Sequence, residues 1–286
     1  MKKNLSKYNE LNTIFVLNYK RKRIFTIETL ENIGYDGDII IILQTDDPYI
    51  DYIKATYGGK YEVIVIDREP YITPEYNLDN FEDRKCVYPN RNISRKLAEE
   101  RGLKRYWLFD DDYTRFATKT SKGKTRVINQ ASTLKALFSA ISEFGLATNA
   151  ANVGFVQAVA PYAKYDTRKK VYNFHNLPSN PEYFLEFRGR TNEDMVQGID
   201  GVMRGKLILG FCNVRGLAKP PEKQTGGLTE IYSQDGQYNK SYYAILANPG
   251  ISTISEQFST LTRYYHKVNL SKIAPKIIRE KYKKSL

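Results

Sequence analysis

One stretch limits what this chain can fold into more than any other: Tyr106-Trp107-Leu108-Phe109, followed at once by Asp110-Asp111-Asp112. The aromatic and apolar run reads as the end of a buried strand. Three consecutive carboxylates repel one another, and partial burial at a strand end raises the cost of keeping them ionised. A divalent cation relieves that cost, because hard cations such as Mg2+ and Mn2+ take oxygen ligands and bridge carboxylates to substrate phosphates. A solvated acidic turn is the alternative. The apolar strand in front favours the cation, since sites in open α/β sheets lie beyond the carboxyl ends of strands.

The rest of the amino-terminal half supplies such a sheet. Apolar runs at 13–17, 38–43 and 61–66 alternate with helical spacing at 25–33, closed by Gly34, and at 49–57, closed by Gly58-Gly59. Strands alternating with helices predict a parallel, Rossmann-like sheet. No GxGxxG follows the first strand, so a dinucleotide fingerprint is absent. Residues 68–90, with Pro70, Pro74 and Pro89, read as a loop over the strand ends, and 90–101 as a helix. Further on, 115–126 carries five basic residues and no acidic one and reads as a mobile cationic loop. A helix is expected over 130–146, a strand over 153–159, a basic turn at 164–170 and a strand-like run at 184–187. A helix over 195–203 has its cap at Thr191 or Asn192. An apolar run at 207–214 precedes a Pro- and Gly-rich loop at 219–228. With neither repeat nor linker, the 286 residues are expected to form one α/β domain.

A net charge of +12 favours an anionic partner: nucleic acid, an anionic membrane or a phosphorylated substrate. The 23 tyrosines and 13 phenylalanines suit either base stacking or a packed core. Two distant cysteines, Cys86 and Cys212, make a disulfide framework or zinc site improbable and fit a reducing cytoplasmic setting. No run reaches the ~18 apolar residues of a spanning helix, and no stable membrane association is expected.

Two further groupings carry chemistry. Arg91 and Arg95, four apart on the 90–101 helix, mark an anion site near its start or a solvated basic face. Glu193-Asp194, at the start of a later helix, serve as a general base or complement the helix dipole. His266 stands alone between Tyr265 and Lys267, and His175 has no motif around it.

Taken in order, the Rossmann-like half, the Phe109-Asp110-Asp111-Asp112-Tyr113 strand end, Glu193-Asp194 and a late His266 resemble a glycosyltransferase of the GT-A fold. With Asn90-Arg91-Asn92 and Thr225-Gly226-Gly227 added, the chain is similar to the TET/JBP-associated glycosyltransferases, largely phage enzymes thought to place sugars on hydroxymethylated pyrimidines in DNA. The resemblance implies a mixed central sheet with a nucleotide-sugar-binding half (1–125), an acceptor-side half (126–262) and a basic carboxyl-terminal tail (263–286). It implies Mn2+ or Mg2+ held by Asp112, with Asp110, and His266. It implies a UDP-sugar donor, with glucose the expected sugar, contacted by Asn18, Arg21, Asn90, Arg91, Arg95, Asp110, Asp111, Gly226, Gly227 and Lys267. Asp194 is the first choice of base and Glu193 the second, with inversion at the anomeric carbon. The expected acceptor is double-stranded DNA containing modified pyrimidines. A polysaccharide, lipid or protein acceptor, a non-catalytic nucleic-acid-binding module and a metal-dependent nucleotidyltransferase are the alternatives.

Overall fold

In the computed structural model the described residues are 9–79, 85–119, 124–157, 167–168, 171, 174–219, 238–257 and 263–269. The first four large strands are β1 (Ile14–Leu17), β2 (Ile39–Gln44), β3 (Glu62–Ile66) and β4 (Arg105–Asp110). They lie parallel in the order β3-β2-β1-β4. Helices α1 (Phe25–Ile33), α2 (Ile50–Tyr57), the short α3 (Pro74–Asn77) and α4 (Tyr88–Glu100) connect them. Gly34 ends α1 in the left-handed region (φ 78°), as a glycine cap requires. Because β1 continues to β2 on one side and meets β4 on the other, the strand order reverses there. A crevice opens at such a point, beyond the strand ends.

The sheet then becomes mixed. It takes in β5 (Tyr113–Lys119), β6 (Thr125–Val127), β7 (Asn152–Gln157), β8 (Thr167–Arg168), β9 (Phe174–Pro178) and β10 (Ile208–Ala218), extending the order as β4-β9-β7-β10-β5-β6, with β8 on β10. Helices α5 (Ala131–Ala147), α6 (Glu193–Met203) and α7 (Tyr238–Ala247) belong to this half. A separate hairpin pairs β11 (Ser252–Gln257) with β12 (Arg263–Val268). The architecture is the α/β arrangement with a mixed central sheet that the sequence leads one to expect.

Burial on both faces explains the unbroken aromatic run of β4. Trp107 and Phe109 join Phe116, Phe138, Phe155 and Phe174 on one side of the sheet. Tyr106 and Leu108 join Phe15, Tyr88 and Phe187 on the other. Much of the aromatic excess is therefore core packing. The two layers leave no room at Gly154 on β7, where a Cβ would overlap the backbone oxygen of Phe174. Gly154→Ala is expected to lower stability by about 3 kcal/mol, the upper end of the range for overpacking a core, read as a fall in the urea midpoint.

Several expectations are corrected. Residues 115–126 do not form one loop: all but 120–123, which lie outside the described residues, belong to β5, β6 and the turn into β6. Tyr113 and Phe116 both point into the core, across a register irregularity opposite Leu217 and Ala218. That bulge hid the period-two pattern; Arg115 is exposed on β5, and Arg126 is exposed on the edge strand β6, where a charge discourages further pairing. Residues 184–187 are not a strand. Phe184, Leu185 and Phe187 are all buried without alternation, and the Asn92 side chain supplies what a neighbouring strand would. Its Nδ2 donates to Phe187 O at 2.9 Å, and its Oδ1 accepts from Phe187 N at 2.8 Å. The loop over 68–90 holds a 3-10 turn at Glu69–Tyr71 as well as α3, and α4 starts at Tyr88, with Pro89 in its first turn. The expected tail opens as strand β12. Of the basic turn at 164–170, only β8 is described.

Candidate active site

The crevice between β1 and β4 is lined from both sides. Leu17 pairs with Asp110 in register, so Asn18 and Asp111 each stand one residue beyond the sheet edge. The start of α1 holds the acidic turn in place. Thr26 Oγ1 donates to Asp110 O (2.5 Å) and accepts from Tyr113 N (2.9 Å), while Thr26 N donates to Asp111 O (3.1 Å). Thr29 Oγ1 adds a bond to Tyr113 O at 2.9 Å.

The three aspartates differ in environment. Asp111 is buried and ion-paired with Arg21. Burial drives its pKa up to about 8, with Arg21 opposing and its two acidic neighbours reinforcing the rise. Asp112 Oδ2 lies 4.0 Å from the same guanidinium, and its backbone oxygen accepts from Lys219 N at 3.0 Å. The Asp110 side chain is the most open of the three, 26 % exposed against 6 % for Asp111 and 17 % for Asp112. Arg21 is presented by a turn in which Asn18 Nδ2 bonds to Arg21 O (3.0 Å) and Lys20 takes a left-handed conformation, its N–H on Asp47 Oδ2 at 2.7 Å.

Across the crevice Arg91, in the first turn of α4, is buried between two acids. Its Nε bonds to Glu193 Oε1 at 2.9 Å, its Nη2 reaches Asp110 Oδ1 at 3.3 Å, and its guanidinium lies 5.6 Å from the Phe187 ring centre. Residues 19 and 102 positions away are thereby tied into one chain, Asp110–Arg91–Glu193. The neighbouring acid, Asp194, is partly exposed, and its Oδ1 accepts from Met195 N at 2.6 Å. Its pKa is raised to about 7, first by desolvation and then by Glu193, against Arg91 and Lys240. Among the described residues Asn18 Oδ1, Asn90 Oδ1 and Arg91 Nη1 are buried polar atoms with no hydrogen-bond partner. Such atoms are costly unless a ligand or water meets them.

A model of the TET-associated glycosyltransferase family matches residues 13–227 of the chain. The chain belongs to that family. The matched span takes in both acidic clusters and Arg91 and stops short of His266. No curated protein matches the chain. Among solved structures, it is similar to S. aureus TarS 1–349 in complex with UDP, at 13% identity and a TM-score of 0.42, over 74% of this chain and 61% of that one. It is similar to GalNAc-T7 with UDP, GalNAc and Mn2+, at 9% identity and a TM-score of 0.43, over 84% and 51% of the two chains. It is also similar to glucosyl-3-phosphoglycerate synthase from Mycobacterium tuberculosis, solved with Mn2+, UDP-glucose and phosphoglyceric acid, at 12% identity and a TM-score of 0.46, over 89% of each chain. The chain thus spans 61% and 51% of the first two of these proteins.

In this TET-associated glycosyltransferase most of the site residues expected from sequence converge on the crevice: Asn18, Arg21, Arg91, Asp110, Asp111, Asp112, Glu193 and Asp194, and Asn90 is buried next to Arg91 in the first turn of α4. Arg95 does not join them. One turn beyond Arg91, it pairs with Glu99 at 2.7 Å and donates to Ser179 O at 3.0 Å. Lys267 is exposed on β12, and strand alternation turns it away from the buried His266. Gly226 and Gly227 lie outside the described residues. His175 is a core residue: buried, its pKa pushed well below the usual histidine value by desolvation, with Nδ1 2.8 Å from Asn152 Nδ2. Thr26, which holds the acidic turn in place, is the position that the sequence pattern did not single out. Its signal was a hydroxyl at a fully buried position within the apolar stripe Ile24, Ile27, Leu30.

As cation ligands, Asp110 and Asp112 fit by chemistry: two carboxylates at one strand end, both more open than Asp111. Among the described residues no group of three or more His, Cys, Asp or Glu side chains is gathered as a metal site.

Proposed function

We propose that this glycosyltransferase moves a sugar, glucose in the first instance, from a UDP-sugar to the hydroxymethyl group of a modified pyrimidine in double-stranded DNA, with inversion. One observation carries the reading. The Asp110–Arg91–Glu193 chain sets an acidic strand end and an acidic helix start on either side of a single crevice. Glycosyl transfer needs both: positive charge builds on the sugar while negative charge builds on the departing diphosphate. A divalent cation, Mn2+ or Mg2+, held by Asp112 and Asp110, supplies Lewis-acid neutralisation of that diphosphate when bound. Asn18 and Asn90 offer their buried amide oxygens as acceptors to the donor, and Arg91 Nη1 offers an N–H to an anionic oxygen.

The acceptor hydroxyl loses its proton as it attacks, and a positioned carboxylate removes it. Glu193 is bound to Arg91 and buried, so Asp194, partly exposed and with a raised pKa, is the better base. It belongs to the acceptor-side half, residues 126–262, and faces a donor held by residues 1–125. The exposed Arg115 and Arg126 of the β5–β6 ribbon, with the basic carboxyl-terminal residues, suit DNA phosphates. Binding is then expected to weaken steeply with salt. A phage gene acting in its host's cytoplasm fits this substrate.

The test incubates the enzyme with Mn2+, a panel of UDP-sugars and DNA containing hydroxymethylcytosine or hydroxymethyluracil, then weighs the digested nucleosides. A hexose mass gain is expected. Activity on a saccharide or lipid acceptor with none on DNA would overturn the acceptor, and retention at the product anomer would overturn inversion. Asp112→Asn is expected to abolish metal-dependent UDP binding in calorimetry while leaving the fold intact. Unchanged binding would remove Asp112 from the ligand set.

A further inference from the structure

The carboxyl-terminal histidine sits where the helix carrying the acidic pair begins. Asn192, the residue before Glu193, is left-handed (φ 57°, ψ 28°) and its side chain makes no capping bond to α6. A side chain at this position normally accepts from the first-turn N–H groups with an extended backbone, and left-handed residues other than glycine are uncommon. Here the amide is used elsewhere. Asn192 Nδ2 donates to Lys240 O in α7 at 2.6 Å and lies 3.1 Å from His266 Nδ1 on β12, in a buried setting.

The carbonyl of Lys240 settles the chemistry of that second contact. A backbone oxygen only accepts, so the amide atom beside it is the nitrogen; the flipped amide would set two acceptor oxygens against each other. The second hydrogen of Nδ2 then points to His266 Nδ1, which must receive it with a lone pair. A neutral imidazole that accepts at Nδ1 carries its proton on Nε2. Neither nitrogen then offers a lone pair to a cation.

We propose that His266 is a positioning residue and not a metal ligand: it is the accepting end of a clasp, Lys240 carbonyl–Asn192 amide–His266 imidazole, that holds the first turn of α6 and so aims Asp194. The clasp joins three elements, α6, α7 and β12. Its removal frees the left-handed turn directly in front of both acids. Asp194 is two residues from the clasped amide, and Lys240 supplies both the accepting carbonyl and an ammonium that favours the ionised Asp194. The aiming role rests on the reading of Asp194 as the base. The protonation of His266 does not.

The protein has two histidines, so long-range 1H–15N spectra of 15N-histidine-labelled enzyme resolve both, with His266→Gln assigning the pair. His266 is expected as the Nε2–H tautomer, with Nδ1 the unprotonated nitrogen, unmoved when Mg2+ and UDP are added. A proton on Nδ1, or a metal-induced shift of Nε2, would overturn the proposal. In parallel, Asn192→Asp places a carboxylate against the Lys240 carbonyl. A drop in kcat of about 100-fold, the scale of a 1 Å misplacement, is expected, with the donor KM and the Mg2+ dependence within about twofold of wild type. His266→Gln should keep the wild-type Mg2+ requirement, and a tenfold rise in the metal needed for half-maximal activity would restore His266 to the ligand set. If no acceptor is turned over at all, the Asp194 reading fails while the spectra still decide the tautomer.

Discussion

Arg91→Met is expected to lower stability by about 3–5 kcal/mol, the cost of breaking a buried ion pair by removing one partner. The Arg91 side chain is 4% exposed and Glu193 is 7% exposed, so neither charge is hydrated enough to stand alone. Methionine fills similar volume, which separates the loss of charge from the loss of packing on Phe187. What remains is a buried Glu193 carboxylate with its Arg91 bond gone and an Asp110 without the guanidinium that offsets Asp111 and Asp112. Urea unfolding followed by circular dichroism reads the change, and Glu193→Gln in the same background should recover part of it. A loss below about 1 kcal/mol, the worth of an exposed pair, would mean that the Asp110–Arg91–Glu193 chain is not a structural bridge. Arg91→Lys keeps a charge but loses the fork that spans two acids, so it should lie between the two.

Asp194→Asn is expected to reduce kcat by about 10²–10⁴-fold, the usual contribution of a general base, while donor and metal binding persist. The amide keeps the shape of the carboxylate and cannot take a proton. Glu193→Gln should cost less in catalysis and more in stability, because that carboxylate is bound to Arg91. The two variants therefore distinguish the base from its neighbour. The wild-type kcat should rise with pH through about 7, the raised value of Asp194, because only its ionised form accepts a proton. Stability runs the other way across this window. A carboxyl whose folded pKa exceeds its unfolded value binds its proton more tightly in the folded state, so its contribution is full at acid pH and is lost as pH rises through about 7. Asp194→Asn should flatten the kcat profile and remove its own share of the stability loss near pH 7, leaving the share that the raised Asp111 carboxyl contributes nearer pH 8. An unchanged kcat profile would assign the base elsewhere.

The fold is most legible in the sequence where the signal is local. The strands of the first half were legible because each is a run of apolar residues, buried on both faces in β1, β2 and β4 and partly buried in the outer strand β3, and α1 because Gly34 ends it. The Asp triplet announced itself by charge repulsion behind an aromatic strand, and the acidic pair by its place at a helix start. The mixed half was less legible. Strand β9 reads as the unpatterned Phe174-His175-Asn176-Leu177-Pro178, buried throughout, and β5 hides its alternation behind a bulge.

Sequence alone determined the fold class, the acidic strand end and which residue types gather around it, because periodicity and like-charge repulsion are properties of neighbouring positions. Only the tertiary structure decided their partners. Helical spacing cannot tell that Arg91 is buried between Asp110 and Glu193 while Arg95, one turn on, turns to Glu99 and Ser179. Nor can it tell that Asn92 replaces a strand for Phe187. A lone histidine reads as a possible cation ligand until its contacts are known. The carbonyl of Lys240, through one asparagine amide, places the proton of His266 on Nε2, and such bonds between distant positions form only when the chain folds.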